Sequence, residues 1–424
     1  MKTQNEHALP FFRIFDTLLL LVFALPVCMR YPILPSLTTP YILFGAIFFI
    51  SASYLWYSVR AYGSKAYERG KTIFTLVLLV LLLLNPIVTA IIVRSQIAKN
   101  MSHGTHDVVL QLEAAIRYLN KGKNPYSETY FGTPMESWFY AENNVPTVNP
   151  ALYHFVMPPF YLLFSYPFYA VSKIVFGFFD GRMPLTFSTI GVIILSFKLF
   201  RLSFFGRIAA TLLTLNPLTL DYLIEGRSDM IVLFFLMLAV FLLQKKKYMT
   251  SAMALACALT TKQSSLLMFP VICLYLWFSR REKLIGYGAV VVTVVLVLCL
   301  PFLLWNPQAF MGSTVGYVNG TAFHSYPVSG YGFGMVLYEY GIIKDIHAFY
   351  PFFILQAAIS FPILILLIKW AKKQQSCEVI WFSYALWLFF FSYFSRYFNN
   401  NHLGYIINLV ILGSISYSER TAIS

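Results

Sequence analysis

Residues 72–126 read TIFTLVLLVLLLLNPIVTAIIVRSQIAKNMSHGTHDVVLQLEAAIRYLNKGKNPY. From Thr72 to Val93 no residue is charged, long enough to cross the roughly 30 Å of a bilayer's hydrocarbon as one helix. The chain then turns abruptly polar at His103-Gly104-Thr105-His106-Asp107. Beyond Asp107, Val108, Leu112, Ala115, Ile116 and Leu119 recur at helical spacing. The spacing predicts a helix lying on the membrane with its apolar side down. Gly122 ends that helix and Asn124-Pro125 turns the chain, so Tyr126 heads back toward the protein.

The rest of the sequence extends this pattern. Its 424 residues are 58% hydrophobic and 11% charged, more apolar surface than a soluble domain can hide. Apolar windows of spanning length recur from end to end without the period-two alternation of a membrane barrel. The chain therefore reads as an all-α, polytopic transmembrane bundle. No small-residue cleavage site stands out after Cys28, so the first helix is expected to stay uncleaved. Five cysteines, at 28, 257, 273, 299 and 377, lack paired spacing and indicate neither disulfides nor a metal knuckle. The formal charge of +14 would suggest nucleic acid in a soluble protein. Here the basic residues sit in short turns, where they orient helices and meet anionic membrane lipids, so no nucleic acid partner is expected.

Basic turns at 60–71, 198–207, 244–247, 279–283 and 369–373 are assigned to the cytoplasm. Helices near 12–29, 41–59, 72–94, 184–200, 208–224, 230–243, 249–260, 264–278, 284–304, 347–369, 377–395 and 402–418 then give about twelve spans. The stretch 151–182, with Pro158, Pro159 and Pro167, would break this parity as a crossing. It is read as an interfacial or re-entrant excursion returning to the outer side. Segments 249–260 and 264–278 are short for crossing and are expected to make a shallow hairpin with Lys262-Gln263 at its tip. Four external patches remain: 95–150, 225–229, 305–334 and 395–402. The chain divides into two N-terminal transmembrane helices (1–71), a core with external loop 95–150 (72–280), and C-terminal helices with external loop 305–346 (281–424).

The external patches hold the candidate chemistry. Asp107 is a candidate catalytic residue, though an acid there could equally cap a helix start and complement its dipole. Glu225 and Asp229 are reserve acids, with a structural ion-pair cluster around Arg227 as the competing role. Lys262, a cation between apolar half-helices, needs a counter-charge. It suits a phosphate as well as it suits Glu225 or Asp229. Arg396 can give a forked phosphate contact, with Asn400 and His402 beside it, or anchor the interface. His324, Tyr326 and His106 are further polar candidates for binding a substrate. His103 and His106 with Asp107 are too few ligands to argue for metal, and no cofactor is expected. The run Gly330-Tyr331-Gly332-Phe333-Gly334 lacks the strand-to-helix setting of a nucleotide loop.

An acid just after a membrane helix, a helix ending in Gly122-Lys123-Asn124-Pro125-Tyr126, and the run PPFYLLF (158–164) resemble the first external loop of the GT-C superfamily of membrane glycosyltransferases. The branch using polyprenyl-phosphate-mannose is the most similar. LNPLTLDYLIEGRSDMIVLFFLMLAVFLL (215–243) and SAMALACALTTKQSSLLMFPVICLYL (251–276) resemble that superfamily's acidic loop and Lys-containing hairpin. The resemblance covers 72–280 well and the remainder loosely, and two helices precede the superfamily's usual first. It implies a GT-C-like fold and a base at Asp107. It also implies hexose transfer, mannose-like and inverting, from a polyprenyl-phosphate sugar to a lipid or glycan acceptor. The expected setting is the outer side of a bacterial-type plasma membrane. Two other readings stand beside it. A transporter or flippase of lipid-linked saccharide would carry charges at the midplane and symmetric halves. An O-antigen ligase or polymerase would carry an arginine-rich late external loop, whereas 305–346 has no arginine.

Overall fold

The computed structural model describes residues 10–30, 36–97, 102, 104–142, 144–201 and 203–423, and helix dominates throughout. Helices α1 (Pro10–Arg30) and α2 (Pro40–Arg60) form an N-terminal hairpin. Next come α3 (Tyr67–Leu79) and α4 (Asn85–Gln96), joined through a π turn at Val80–Leu84 into one 30-residue rod. Pro86 brings no backbone N–H, and the wider π turn before it accommodates the missing bond without breaking the rod. The polar island follows as α5 (Asp107–Asn120), a small antiparallel pair β1 (Ala141–Glu142) and β2 (Val145–Pro146), and a 3₁₀ turn at Pro150–Tyr153.

The core is built from α6 (Pro159–Phe176), α7 (Arg182–Leu199), α8 (Phe204–Leu215), α9 (Pro217–Glu225), α10 (Asp229–Gln244) and α11 (Tyr248–Leu259). Helix α10 is its axis, with Ile231, Leu233, Leu236, Met237 and Val240 fully enclosed. It packs between α7 and α11. Alanines 252, 254, 256 and 258 keep α11 thin and let the backbones approach. A 3₁₀ turn (Gln263–Leu267) leads into α12 (Met268–Ser279) and the lipid-facing α13 (Arg281–Trp305). Short pieces α14 (Pro307–Met311), α15 (Tyr317–Asn319) and α16 (Phe333–Glu339) precede α17 (Phe352–Lys373), α18 (Cys377–Tyr393) and α19 (Asn400–Ile423). Strand β3 (Ser329–Gly330) pairs in parallel with β4 (Tyr397–Phe398), tying the late loop to the start of α19.

By length and composition, five helices can cross a membrane alone: α2, the α3–α4 rod, α7, α13 and α17. The pair α9 and α10, bent by 113°, makes a sixth if counted as one span. Twelve is thus not reached by single long helices. The expected span 208–224 breaks at Asn216-Pro217, where Asn216 is extended (ψ 140°) and Pro217 starts a new helix. Helices α8, α11 and α12 are 12 residues each, roughly 18 Å long.

Helix α5 does not float on a surface with one side exposed. Every residue from Val109 to Ile116 is buried, the polar ones included. That is tolerated because each polar group is partnered. The Gln111 amide donates to the carbonyls of Ala151 (2.8 Å) and His154 (2.6 Å), and Glu113 makes a two-pronged pair with Arg94 (2.7 and 2.9 Å). The excursion 151–182 contains α6, an 18-residue helix with Pro167 inside it. Its first turn hangs on the Thr260 carbonyl through Phe160 N–H (2.9 Å), beside Lys262. Beyond its far end, Gly181 N–H donates to Glu113 (3.0 Å). Both ends of α6 therefore return to the surroundings of α5.

Candidate active site

The four patches expected on the outer side converge. Residues from 106–157, from the α9–α10 turn, from the late loop and from 397–402 line one cavity of about 430 Å³. Among them are His106, Asp107, Arg227, Lys262, Tyr326 and His402. A buried charge cluster sets its geometry. Arg94, at the end of α4, reaches Glu113 and also Asp180 (2.8 Å), which in turn takes two bonds from Arg182 (2.9 and 2.8 Å). Arg182 then donates to the carbonyls of Ala90 (3.0 Å), Ile224 (3.1 Å) and Gly104 (3.3 Å). One arginine thus fastens the rod, the loop before Asp107 and the turn that carries Arg227. His106 N–H donates to the Glu225 carbonyl (2.8 Å), closing the same joint.

Asp107 is the first residue of α5, yet its carboxylate does not cap the helix. The acceptor for the Val108 N–H is the His106 ring nitrogen Nδ1, at 3.4 Å. Oδ2 of Asp107 accepts from the Asn149 side-chain amide at 2.9 Å. Oδ1 lies 2.6 Å from His106 Nδ1 but off the line of a hydrogen bond, and it is a buried oxygen without a hydrogen-bond partner. A buried carboxylate oxygen in that state is a ready acceptor for an incoming hydroxyl. Burial pushes the Asp107 carboxyl up, but His106, the Asn149 amide and Arg227 more than offset it and hold its pKa at about 2. The carboxylate is therefore ionised at any physiological pH.

Arg227 lies over the Tyr222 ring, its central carbon 4.0 Å from the centroid. Its Nε is 3.9 Å from Glu225 and has no hydrogen-bond partner. Arg227 is also among the residues that line the cavity. Lys262 lines the same cavity and pairs with Asp229 at 2.6 Å, so the counter-charge its setting demands is Asp229. The first residues of the 24-residue α19, Asn400 to His402, also line the cavity. They bring a helix N-terminus, a favourable end for an anion. Aromatic rings of Trp138, Tyr140, Tyr326, Tyr331 and Tyr397 complete the walls.

The other candidates fall elsewhere. Neither Glu225 nor Asp229 lines the cavity; Glu225 is half-buried, and Asp229 is engaged by Lys262. His324, with φ of 53°, stacks on Tyr153 at 3.9 Å, outside the lining. Arg396 is fully buried, and its guanidinium is spent on the carbonyls of Tyr326, Ala348 (2.8 Å) and Ile346 (2.9 Å), which staple the late loop to β4. His103 lies outside the described residues. Among the described residues no group of three His, Cys, Asp or Glu side chains is arranged to hold a metal.

Asn149, Trp138 and the cluster of Arg94, Glu113, Asp180 and Arg182 are not singled out by the sequence. One signal was available: Arg94 ends a long uncharged run, and a cation there needs an acid from another segment.

Residues 222–325 match a family described as ALG3 protein, about a quarter of the chain. That match supports a membrane mannosyltransferase family, and hence a glycosyltransferase. It takes in Arg227, Asp229 and Lys262 but not Asp107 or the first external loop. No curated protein matches the chain.

Proposed function

We propose that this protein transfers a hexose, mannose-like, from a polyprenyl-phosphate sugar to a lipid or glycan acceptor on the extracytoplasmic face of its membrane, inverting the anomeric carbon. The observation that carries this reading is the presence, in one cavity, of the ionised Asp107 carboxylate and the cationic side chains of Arg227 and Lys262. The acceptor hydroxyl gives its proton to Oδ1 as its oxygen bonds to the anomeric carbon. The bond from that carbon to the phosphate oxygen breaks, and the polyprenyl phosphate leaves with the electron pair. A carboxylate of low pKa suits this order of events, since the hydroxyl becomes strongly acidic only as the new bond forms. Arg227, Lys262 and the N-terminus of α19 stabilise the charge that develops on the phosphate.

An adjoining chamber of about 260 Å³ shares Lys262, Gln263, Tyr397 and His402 with the cavity and continues between Leu266, Leu267, Leu388 and Phe391. Its apolar walls suit the donor's prenyl chain, and its junction with the cavity at Lys262 suits the phosphate. Short helices then have a purpose. Twelve crossings with both termini and the basic turns on the cytoplasmic side, with α6 as an excursion from the outer side, recess the cavity below the membrane surface where a lipid headgroup can enter.

The test is direct. Purified protein in lipid, given labelled polyprenyl-phosphate hexoses and a membrane extract, should move label from the donor into an acceptor fraction. Translocation of intact donor without bond cleavage would mean a flippase instead.

A further inference from the structure

A second cavity lies on the opposite face of the molecule. Helix α10 starts at Asp229 beside Lys262 and runs 16 residues, roughly 24 Å, to Gln244. Helix α11 returns from there, and α12 and α13 meet at the same level. Between the α10–α11 turn and the start of α13 is an open cavity of about 450 Å³ lined by Lys246, Lys247, Tyr248, Glu282, Lys283 and Tyr287 among others. Three ammonium groups face one carboxylate, and among the described residues no carboxylate lies within ion-pair distance of any of the three. The floor is fixed: the Tyr287 hydroxyl meets Ser251 (3.1 Å), whose own hydroxyl donates to the Ala239 carbonyl (2.8 Å). Lys246 occupies the left-handed region, φ 58°, where a side chain of its shape is uncommon. The flanks are apolar and outward-facing: Met249, Met253, Ile285 and Val292 are exposed, and Trp277 stands under Arg281, 4.2 Å from ring to guanidinium.

We infer that this cavity binds the phosphate headgroup of an anionic membrane phospholipid, with its acyl chains lying along the exposed faces of α11 and α13. A cationic cup at the level of an interfacial tryptophan, opening onto lipid-facing helix, complements a negative headgroup joined to two hydrocarbon chains. A free phosphate would engage the lysines alone, whereas a phospholipid engages the lysines and the adjoining apolar faces together. Gly286 is part of the lining, and a Cβ added there would meet nothing within 4 Å. The site can therefore be filled without disturbing its walls.

Native mass spectrometry of the full chain released from nanodiscs of mixed phosphatidylglycerol and phosphatidylcholine tests this. The wild type should retain phosphatidylglycerol at least about tenfold over phosphatidylcholine, and millimolar inorganic phosphate should not displace it. The combined K246N, K247Q and K283Q variant should lose on the order of a hundredfold in retention, by the weight of three surface lysines near an anionic lipid. Asn at 246 tolerates the left-handed turn. G286L, which keeps every charge, should also release the lipid. Unchanged retention in both variants, equal retention of phosphatidylcholine, or full displacement by inorganic phosphate would each overturn the inference.

Discussion

Arg227 lies over Tyr222 with no hydrogen bond at its Nε, whereas Arg396 spends its guanidinium on three backbone carbonyls. The two substitutions should therefore fail in different ways. Arg227→Gln should raise the donor KM roughly 10- to 100-fold, the loss of one or two charge-assisted bonds, with little change in thermal stability. Arg396→Gln should instead lower stability by about 1–3 kcal/mol, because buried carbonyls lose their donors. Melting temperature and donor KM measured on both variants separate the two roles. Asp107 carries a prediction in pH. Its folded pKa, about 2, lies below the ordinary carboxylate value, so its ionised form is fully present above that ordinary value and is lost only as pH falls toward 2. The transfer rate should show no acid limb from this group above about pH 4. A limb near pH 6 that disappears in Asp107→Asn would contradict the assignment. Asp107 was legible from its place after a spanning helix. Asn149, which orients it, was not, because nothing near Asn149 in the chain marks it as different from any loop asparagine.

At the scale of elements, the cluster of Arg94, Glu113, Asp180 and Arg182 decides where α5 sits. All four side chains are buried, so removing one charge strands its partners. Glu113→Gln should cost about 3–5 kcal/mol and should lower turnover even at temperatures where the fold holds, because α5 carries Asp107. Circular dichroism melts together with transfer rates at reduced temperature check this. Gly226 is a second joint. It turns at φ of 101°, and a side chain there would run into Val109 and Arg182, so Gly226→Ala should displace the Arg227 turn from α5. Most of the helices could be read from apolar runs, and the start of α6 from the prolines at 158 and 159. The cluster could not be, since Arg94 and Asp180 are 86 residues apart and neither lies in a local pattern that names the other. The reading of α5 as a surface helix failed for the same reason. Amphipathic spacing shows that one face is apolar, but not that Arg94 and two carbonyls wait to cover the polar face.

For the whole molecule, the segments that the basic turns would put on one side of the bilayer are the ones that line the cavity. The N-terminal hairpin belongs to this architecture. Asp16 of α1 takes Lys71 Nζ and Arg207 Nε, both at 2.5 Å, and the Tyr54 hydroxyl of α2 at 3.2 Å, locking α1 and α2 to α3 and α8. Cysteines at Phe139 and Phe323 should react with an impermeant thiol reagent from outside. Those at Lys246, Arg281 and Lys372 should react only from the cytoplasmic side. A cysteine at Phe176, at the end of α6, should label from outside if the excursion returns there. One comparison decides whether Asp107 takes the acceptor's proton in a sugar transfer. Single-turnover transfer from a labelled polyprenyl-phosphate hexose should be measured for wild type and Asp107→Asn, with donor affinity determined on the same preparations. The amide can still bond to Asn149 but cannot take a proton. The rate should fall roughly 10²- to 10⁴-fold while donor binding and fold persist. A near-normal rate in the variant would remove Asp107 from the chemistry.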